Sequence, residues 1–317
     1  WNMAFSLAGI FMILGLAIFV FTQRLLGPIG KKPFKKDGTP VHKYSEYAVY
    51  IGSLLIIPFI LLLVRNTQYT DLFMYIIGPA TLLYIFYEMR NYSKVENQKL
   101  IAALIFIIFS IFFWAFFEQC GGSLSLFARY NLEGSFLGFD PNQINNSSNN
   151  FFVVILSPLV GLIWLWLNKR NMEPNTVVKF GLAFLFLGGG FFVFYSTRLF
   201  ATPEGMASLP LFTLAYFVMT IGELCLSPIG LSIMTKLSPK PLWGVIMRTW
   251  FLSSNYGQFV AGILGADMSS EKVNEALPVK LQLYTDGYKQ LGIYGLIAGV
   301  VLIAISPLVR KLMQNVK

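Results

Sequence analysis

Gly222-Glu223-Leu224-Cys225-Leu226-Ser227-Pro228 lies inside an apolar run over 209–235. The run exceeds the roughly 20 residues that a helix needs to cross a hydrocarbon core, yet it carries a carboxylate near its middle. Working outward, eight further stretches of comparable length read the same way, at 3–22, 47–64, 71–88, 99–120, 150–167, 177–197, 242–265 and 290–309. In lipid every backbone amide must be satisfied within its own segment, so these nine stretches are expected to be helices. The short alternating segments of a membrane barrel are absent.

Composition agrees. Hydrophobic residues make up 56% of the chain, charged residues 12%, and the mean hydropathy is +0.63. A soluble domain carries about 25% charged residues, so the lipid bilayer is this chain's main solvent. The net charge of +9 invites a nucleic-acid reading, but the basic residues gather between the apolar runs, as in Lys31, Lys32, Lys35, Lys36 and Lys43. If the first span begins outside, 18 of the 24 Lys and Arg fall on the cytoplasmic side. Arg65, Arg129, Arg198, Lys272, Lys280 and Lys289 fall on the other. That bias puts Trp1 outside and Lys317 in the cytoplasm, and makes the charge a membrane-surface feature rather than a nucleic-acid footprint. The polar segment 129–148, with Asn145-Asn146-Ser147-Ser148, reads as an ordinary external loop.

Cys120 and Cys225 lie in or beside apolar runs, which argues against a disulfide framework. His42 is the one histidine and sits in the basic linker, so neither a histidine-based metal site nor a histidine-centred triad can be assembled. The acidic residues of the spans are Glu88 at a cytoplasmic end, and Glu118 and Glu223 well inside. A charge at that depth costs about 2.5–3.5 kcal/mol on insertion scales, so it marks a functional site or a buried ion pair. No cation of this chain is expected at the same depth, except Arg248 at the start of a helix. Helical spacing sets Trp114 beside Glu118 and Ser227 beside Glu223. Pro158, Gly188-Gly189-Gly190 and Pro228 are expected to interrupt their spans or allow close approach.

Phe113-Trp114 through Phe127-Ala128 resembles the seventh-helix signature of the proton-dependent oligopeptide transporter family, FWxxFEQxGxSLxLFA. Gly222 through Ser232, with Thr235-Lys236-Leu237, resembles its tenth-helix signature. Trp250-Phe251-Leu252 with Gly257 and Ala261-Gly262 is similar to its eleventh helix. The resemblance implies an all-α membrane protein of the major facilitator type: 1–24 as transmembrane helix 6, 25–46 as a basic cytoplasmic linker, 47–90 as the extra hairpin of bacterial members, and 97–317 as helices 7–12. The last would form a C-terminal six-helix bundle of two inverted three-helix repeats. Five N-terminal helices, with the ExxER motif, would be missing upstream of Trp1.

By the same resemblance Glu118 is the proton-coupling carboxylate, paired with an arginine of the absent half. Glu223 receives the peptide's amino terminus, with Ser227 beside it. Asn149 binds peptide backbone, and Trp114, Trp250, Phe251 and Ser254 line side-chain pockets. Three departures stand out: Asn149-Asn150 for Asn-Pro, Met247-Arg248 for Met-Gly, and Gly257-Gln258 for Gly-Asn. The implied function is symport of di- and tripeptides with protons across a bacterial plasma membrane, with protons as coupling ion and no other cofactor. The alternatives are a carrier of nitrate or another small solute, a nonfunctional half-transporter, and a membrane enzyme; the last lacks a nucleophile with a base partner.

The charge bias makes a topological prediction. A His42→Cys variant in sealed cells should resist an impermeant thiol reagent added outside, while a cysteine placed within 138–142 should react. Labelling at position 42 from outside would reverse the orientation.

Overall fold

The computed structural model describes residues 2–27, 43–134, 138–269, 275–314 and 316. His42, Lys317 and most of the basic linker lie outside that set. Among the described residues there are ten α-helices: α1 (Asn2–Thr22), α2 (Lys43–Arg65), α3 (Thr67–Glu88), α4 (Lys94–Phe117), α5 (Ser123–Asn131), α6 (Pro141–Lys169), α7 (Thr176–Ser196), α8 (Leu209–Leu237), α9 (Trp243–Ser269) and α10 (Leu277–Met313). All nine apolar stretches are helical. Eight spans among the described residues are long and apolar enough to cross a membrane, counting α4 and α5 as one. The helix that falls short is α9, whose exposed stripe carries Arg248, Asn255 and Gln258. Among the described residues the strands are a parallel pair of two residues each, β1 (Leu132–Glu133) and β2 (Ala207–Ser208).

Two compact units divide at Phe73 and Met74, within α3. In the first, Asn66 ends α2, and its side-chain oxygen accepts from the Gln68 amide at 3.1 Å to start α3. The Thr70 hydroxyl donates to the Leu63 carbonyl at 2.6 Å and closes the turn. The apolar side chains of α1 and α2 are largely exposed. With lipid as solvent, such exposure is no liability.

In the second unit the core is aromatic. Phe106, Phe113, Phe180, Phe184, Phe191, Phe194 and Phe212 are wholly buried. They pair edge to face across α4 and α7, as Phe106 with Phe180 at 4.7 Å and Phe113 with Phe184 at 5.6 Å. Such geometry adds about 0.5–1.5 kcal/mol per pair beyond area burial.

Three sequence expectations change in the structure. Segment 129–148 is not one loop: α6 begins at Pro141 because Asp140 and Gln143 form a capping box around a proline at the first helical position. Asn145 and Ser148 are therefore buried helical residues rather than loop residues. The last helix starts at Leu277, thirteen residues before the apolar run, since its polar first turns find partners: Asp286 accepts from Arg198 at 2.7 Å. Finally, α6, α7 and α8 run unbroken through Pro158, the three glycines and Pro228. The interruption lies instead after Phe117, where α4 gives way to a 3₁₀ turn over Glu118–Gly121.

The glycine triplet is a packing device with unequal members. A Cβ on Gly188 would stand 2.8 Å from the Gly292 carbonyl and 2.9 Å from the Leu296 amide, both backbone atoms of α10. On Gly190 it would meet Met219 of α8, while on Gly189 its nearest neighbour is a Val218 methyl at 3.7 Å. Gly188→Ala should therefore destabilise the folded bundle by about 1–3 kcal/mol, and Gly189→Ala should not. Thermal unfolding of the two variants in detergent measures the contrast; equal midpoints would refute this packing.

Candidate functional site

The turn that ends α4 begins with Glu118, and the residues after it hold it in place. The amide of Gln119, itself fully buried, donates to the Ala115 carbonyl at 3.3 Å and to the Ala261 carbonyl of α9 at 3.2 Å. The Ser123 hydroxyl donates to the Gln119 side-chain oxygen at 2.9 Å. Gly122 and Gly265 face each other across this contact, so the break can lie directly on α9. Half-buried Glu118 accepts from the Gln258 amide at 3.4 Å. Trp114, one turn earlier, packs at Gly257, where a Cβ would lie 2.2 Å from the Trp114 Cβ. The tryptophan is thus partly committed to the α4–α9 contact.

Glu223 belongs to a polar stripe on α8 formed with Tyr216, Thr220 and Ser227, at spacings of four, three and four. Opposite it, Asn145 and Asn149 are one turn apart on α6. The Tyr216 hydroxyl donates to Asn145 Oδ1 at 2.5 Å, and Asn145 Nδ2 donates to the Cys120 carbonyl at 2.9 Å. The Thr220 hydroxyl donates to Asn149 Oδ1 at 2.8 Å, and the Asn149 side chain lies within electrostatic reach of Glu223. Glu118 and Glu223 are close enough for their charges to interact, and Cys120 lies within reach of both. The structure thus brings together Glu118, Glu223 and Asn149, with Ser227 one turn beyond. Tyr216, Thr220, Asn145 and Gln258 are the additions that sequence reading passed over. On α8 the signal was present, as four polar residues at helical spacing in a mostly apolar helix, whereas on α6 Asn145 and Asn149 stand among the other polar residues of 142–150.

Two atoms in this cluster have no hydrogen-bond partner among the described residues although both are buried, Glu223 Oε2 and Ser227 Oγ. Buried polar atoms are almost always paired; Asn97 Oδ1, Asn131 Oδ1, Trp164 Nε1 and Tyr288 Oη share this state, but Glu223 and Ser227 are one turn apart on one helix face. Among the described residues the ion pairs are Lys179 with Glu173 and Arg198 with Asp286, and neither involves the two central carboxylates.

On α9 the expected pocket residues part company. Trp250 is 6% exposed, stacks edge-on to Phe180 at 6.2 Å and covers Gly230, so its place is the core. Phe251 is 58% exposed, on a stripe with Arg248, Asn255 and Gln258. Ser254 is half-buried, its hydroxyl donating to the Phe251 carbonyl at 2.8 Å. An exposed polar stripe on a membrane helix is costly against lipid, so it faces water or protein.

A family model described as PTR2, POT family, matches residues 1–279. The chain is 30% identical to dipeptide and tripeptide permease A of Pectobacterium carotovorum subsp. carotovorum (strain PC1), covering 100% of this chain and 62% of that protein. It is 28% identical to the peptide transporter YePEPT of Yersinia enterocolitica subsp. palearctica serotype O:3 (strain YE-P4), over 99% of this chain and 63% of the relative. Among solved structures, a crystal structure of a peptide transporter POT in complex with sulfate superposes with a TM-score of 0.71 at 27% identity, over 99% of this chain and 63% of that one. The chain therefore spans less than two thirds of the length of these relatives.

Proposed function

This chain belongs to the POT family, and from that premise we propose that it forms the carboxylate-bearing half of a symporter that moves di- and tripeptides into the cell with protons. The observation that carries the reading is the pair of orphaned buried acceptors, Glu223 Oε2 and Ser227 Oγ, one turn apart on α8. An ammonium group presents three donors and a positive charge, so a peptide's amino terminus satisfies both atoms and neutralises the carboxylate. A nitrate-type anion offers no donor and would be repelled by Glu223, which disfavours the anion-carrier alternative. Names of the relatives point the same way, as permeases of dipeptides and tripeptides.

In this reading residues 97–317 make up two inverted three-helix repeats, preceded by helix 6, the linker and the hairpin, and an N-terminal half of five helices supplies an arginine facing Glu118. Asn149, held by Thr220, contributes a hydrogen bond to the peptide backbone. Phe251, Ser254 and the exposed edge of Trp114 border the peptide side chains, while Trp250 shapes α9 from behind. Protons are the coupling ion, and both the linker and the C-terminus face the cytoplasm of a bacterial cell.

In the full-length protein, Glu223→Gln should abolish dipeptide uptake while expression and membrane insertion stay normal. Normal uptake by that variant would remove Glu223 from the site. Glu118→Gln should instead lose proton-driven accumulation and retain exchange of labelled for unlabelled peptide, because its carboxylate is the group that must change charge as its partner approaches and leaves. Accumulation against a gradient in that variant would reduce Glu118 to a structural residue.

A further inference from the structure

We infer that Asn145 and Tyr216 form a tie that couples the Glu118 turn to the α8 face carrying Glu223, so that the two carboxylates move as one unit; this deepens the transport reading and rests on it. Three elements meet in one side chain. Asn145 of α6 is 1% exposed, its oxygen accepts from the Tyr216 hydroxyl of α8 at 2.5 Å, and its amide donates to the Cys120 carbonyl at 2.9 Å. Cys120 lies in the 3₁₀ turn that begins with Glu118, where α4 has stopped supplying regular backbone partners. Asn145 therefore satisfies a carbonyl that the break leaves open, and does so from a helix that packs on α8.

The second end of the same turn is fastened to α9 by the Gln119 amide on the Ala261 carbonyl, and Gln258 of α9 donates to Glu118 itself. The turn is thus held from both flanks, by α9 through Gln119 and by α6 and α8 through Asn145. Tyr216 also connects to the peptide end of the stripe: the Thr220 hydroxyl oxygen lies 2.7 Å from the Tyr216 carbonyl and 2.8 Å from the Asn149 side-chain amide oxygen, and its one hydrogen is shared between the two contacts. A continuous line of bonds runs from the Glu118 turn through Asn145, Tyr216 and Thr220 to Asn149, the neighbour of Glu223. Neither Asn145 nor Tyr216 touches peptide in this scheme; both are positioning residues, and a displacement of α8 by ligand at Glu223 is transmitted to the Glu118 turn.

The test uses the full-length protein with Cys120 as its sole cysteine, and the variants Tyr216→Phe, Asn145→Leu and, as an exposed neighbour, Asn146→Ala. Loss of one buried hydrogen bond that leaves its partner unsatisfied is worth about a tenfold change in rate or accessibility. The expected result for Tyr216→Phe and Asn145→Leu is about a tenfold lower maximal uptake rate with the dipeptide KM within about twofold, together with about tenfold faster maleimide labelling of Cys120. Asn146→Ala should match the parent in both. A wild-type labelling rate, or a loss confined to KM, in either variant would overturn the tie. Should Asn145→Leu fail to insert, Tyr216→Phe, which deletes a single oxygen, carries both readings alone. A parent protein that moves no dipeptide would overturn the transport reading instead, and the Cys120 labelling rates would still decide whether the tie holds the turn.

Discussion

Two carboxylates sit in an apolar bundle with no cation of the described chain beside them, and the arrangement around them follows from that constraint. A charge at this depth costs several kcal/mol unless water, a donor or an opposite charge relieves it. The local response is neutral polar neighbours: the Gln258 amide donates to Glu118, and the Asn149 side chain lies within reach of Glu223. Neutral amides relieve part of the desolvation without locking either carboxylate in an ion pair. Lys179 and Arg198 show the opposite solution, each matched to an acidic partner. Among the described residues the fixed ion pairs thus lie away from the central carboxylates, which have neutral neighbours instead.

Rigidity is concentrated on the other side of the same helices. Phenylalanine rings interlock α4, α7 and α8, and Gly188 and Gly190 let α7 lie against α10 and α8 at backbone distance. Dense packing of this kind has few intermediate arrangements, so strain applied at one face is passed on rather than absorbed. The site thus rests on a stiff layer, and the 3₁₀ turn that joins α4 to α5 within one span begins at a carboxylate.

Much of this was legible in the sequence, and the reasons for the misses are specific. Apolar length located every long helix, because the bilayer imposes it on each span separately. Depth within a span singled out Glu118 and Glu223, which the fold sets within electrostatic reach of each other. What failed was the assumption that prolines and glycines break helices and that polar residues begin loops. Pro158 and Pro228 are accommodated within continuous helices, whereas Glu118 ends one, since Gln119 and Gly122 are matched to an α9 backbone that no local pattern reveals. Asn145 was read as a loop residue for want of apolar neighbours, though Asp140-Pro141 and Gln143 spelled a helix start. Trp250 shares a helix with Phe251 but points to Phe180, a distinction that needs the rotation of α9.

The shortfall in apolar character of α9 is itself informative. Along one stripe its exposed residues include Arg248, Asn255 and Gln258, while the opposite stripe of Ile246, Trp250, Ser253, Gly257 and Ala261 is buried. A helix facing lipid has no use for such a stripe, and a helix sealed in a core could not satisfy it. The remaining environment is a wet crevice or a second set of helices. Gln258 on that stripe already donates to Glu118, so the surface that α9 turns outward is continuous with the carboxylate turn. Position along the helix then separates two polar groups of one stripe: Gln258 lies beside the Glu118 carboxylate, and Arg248, about three turns earlier, holds an exposed cation away from it.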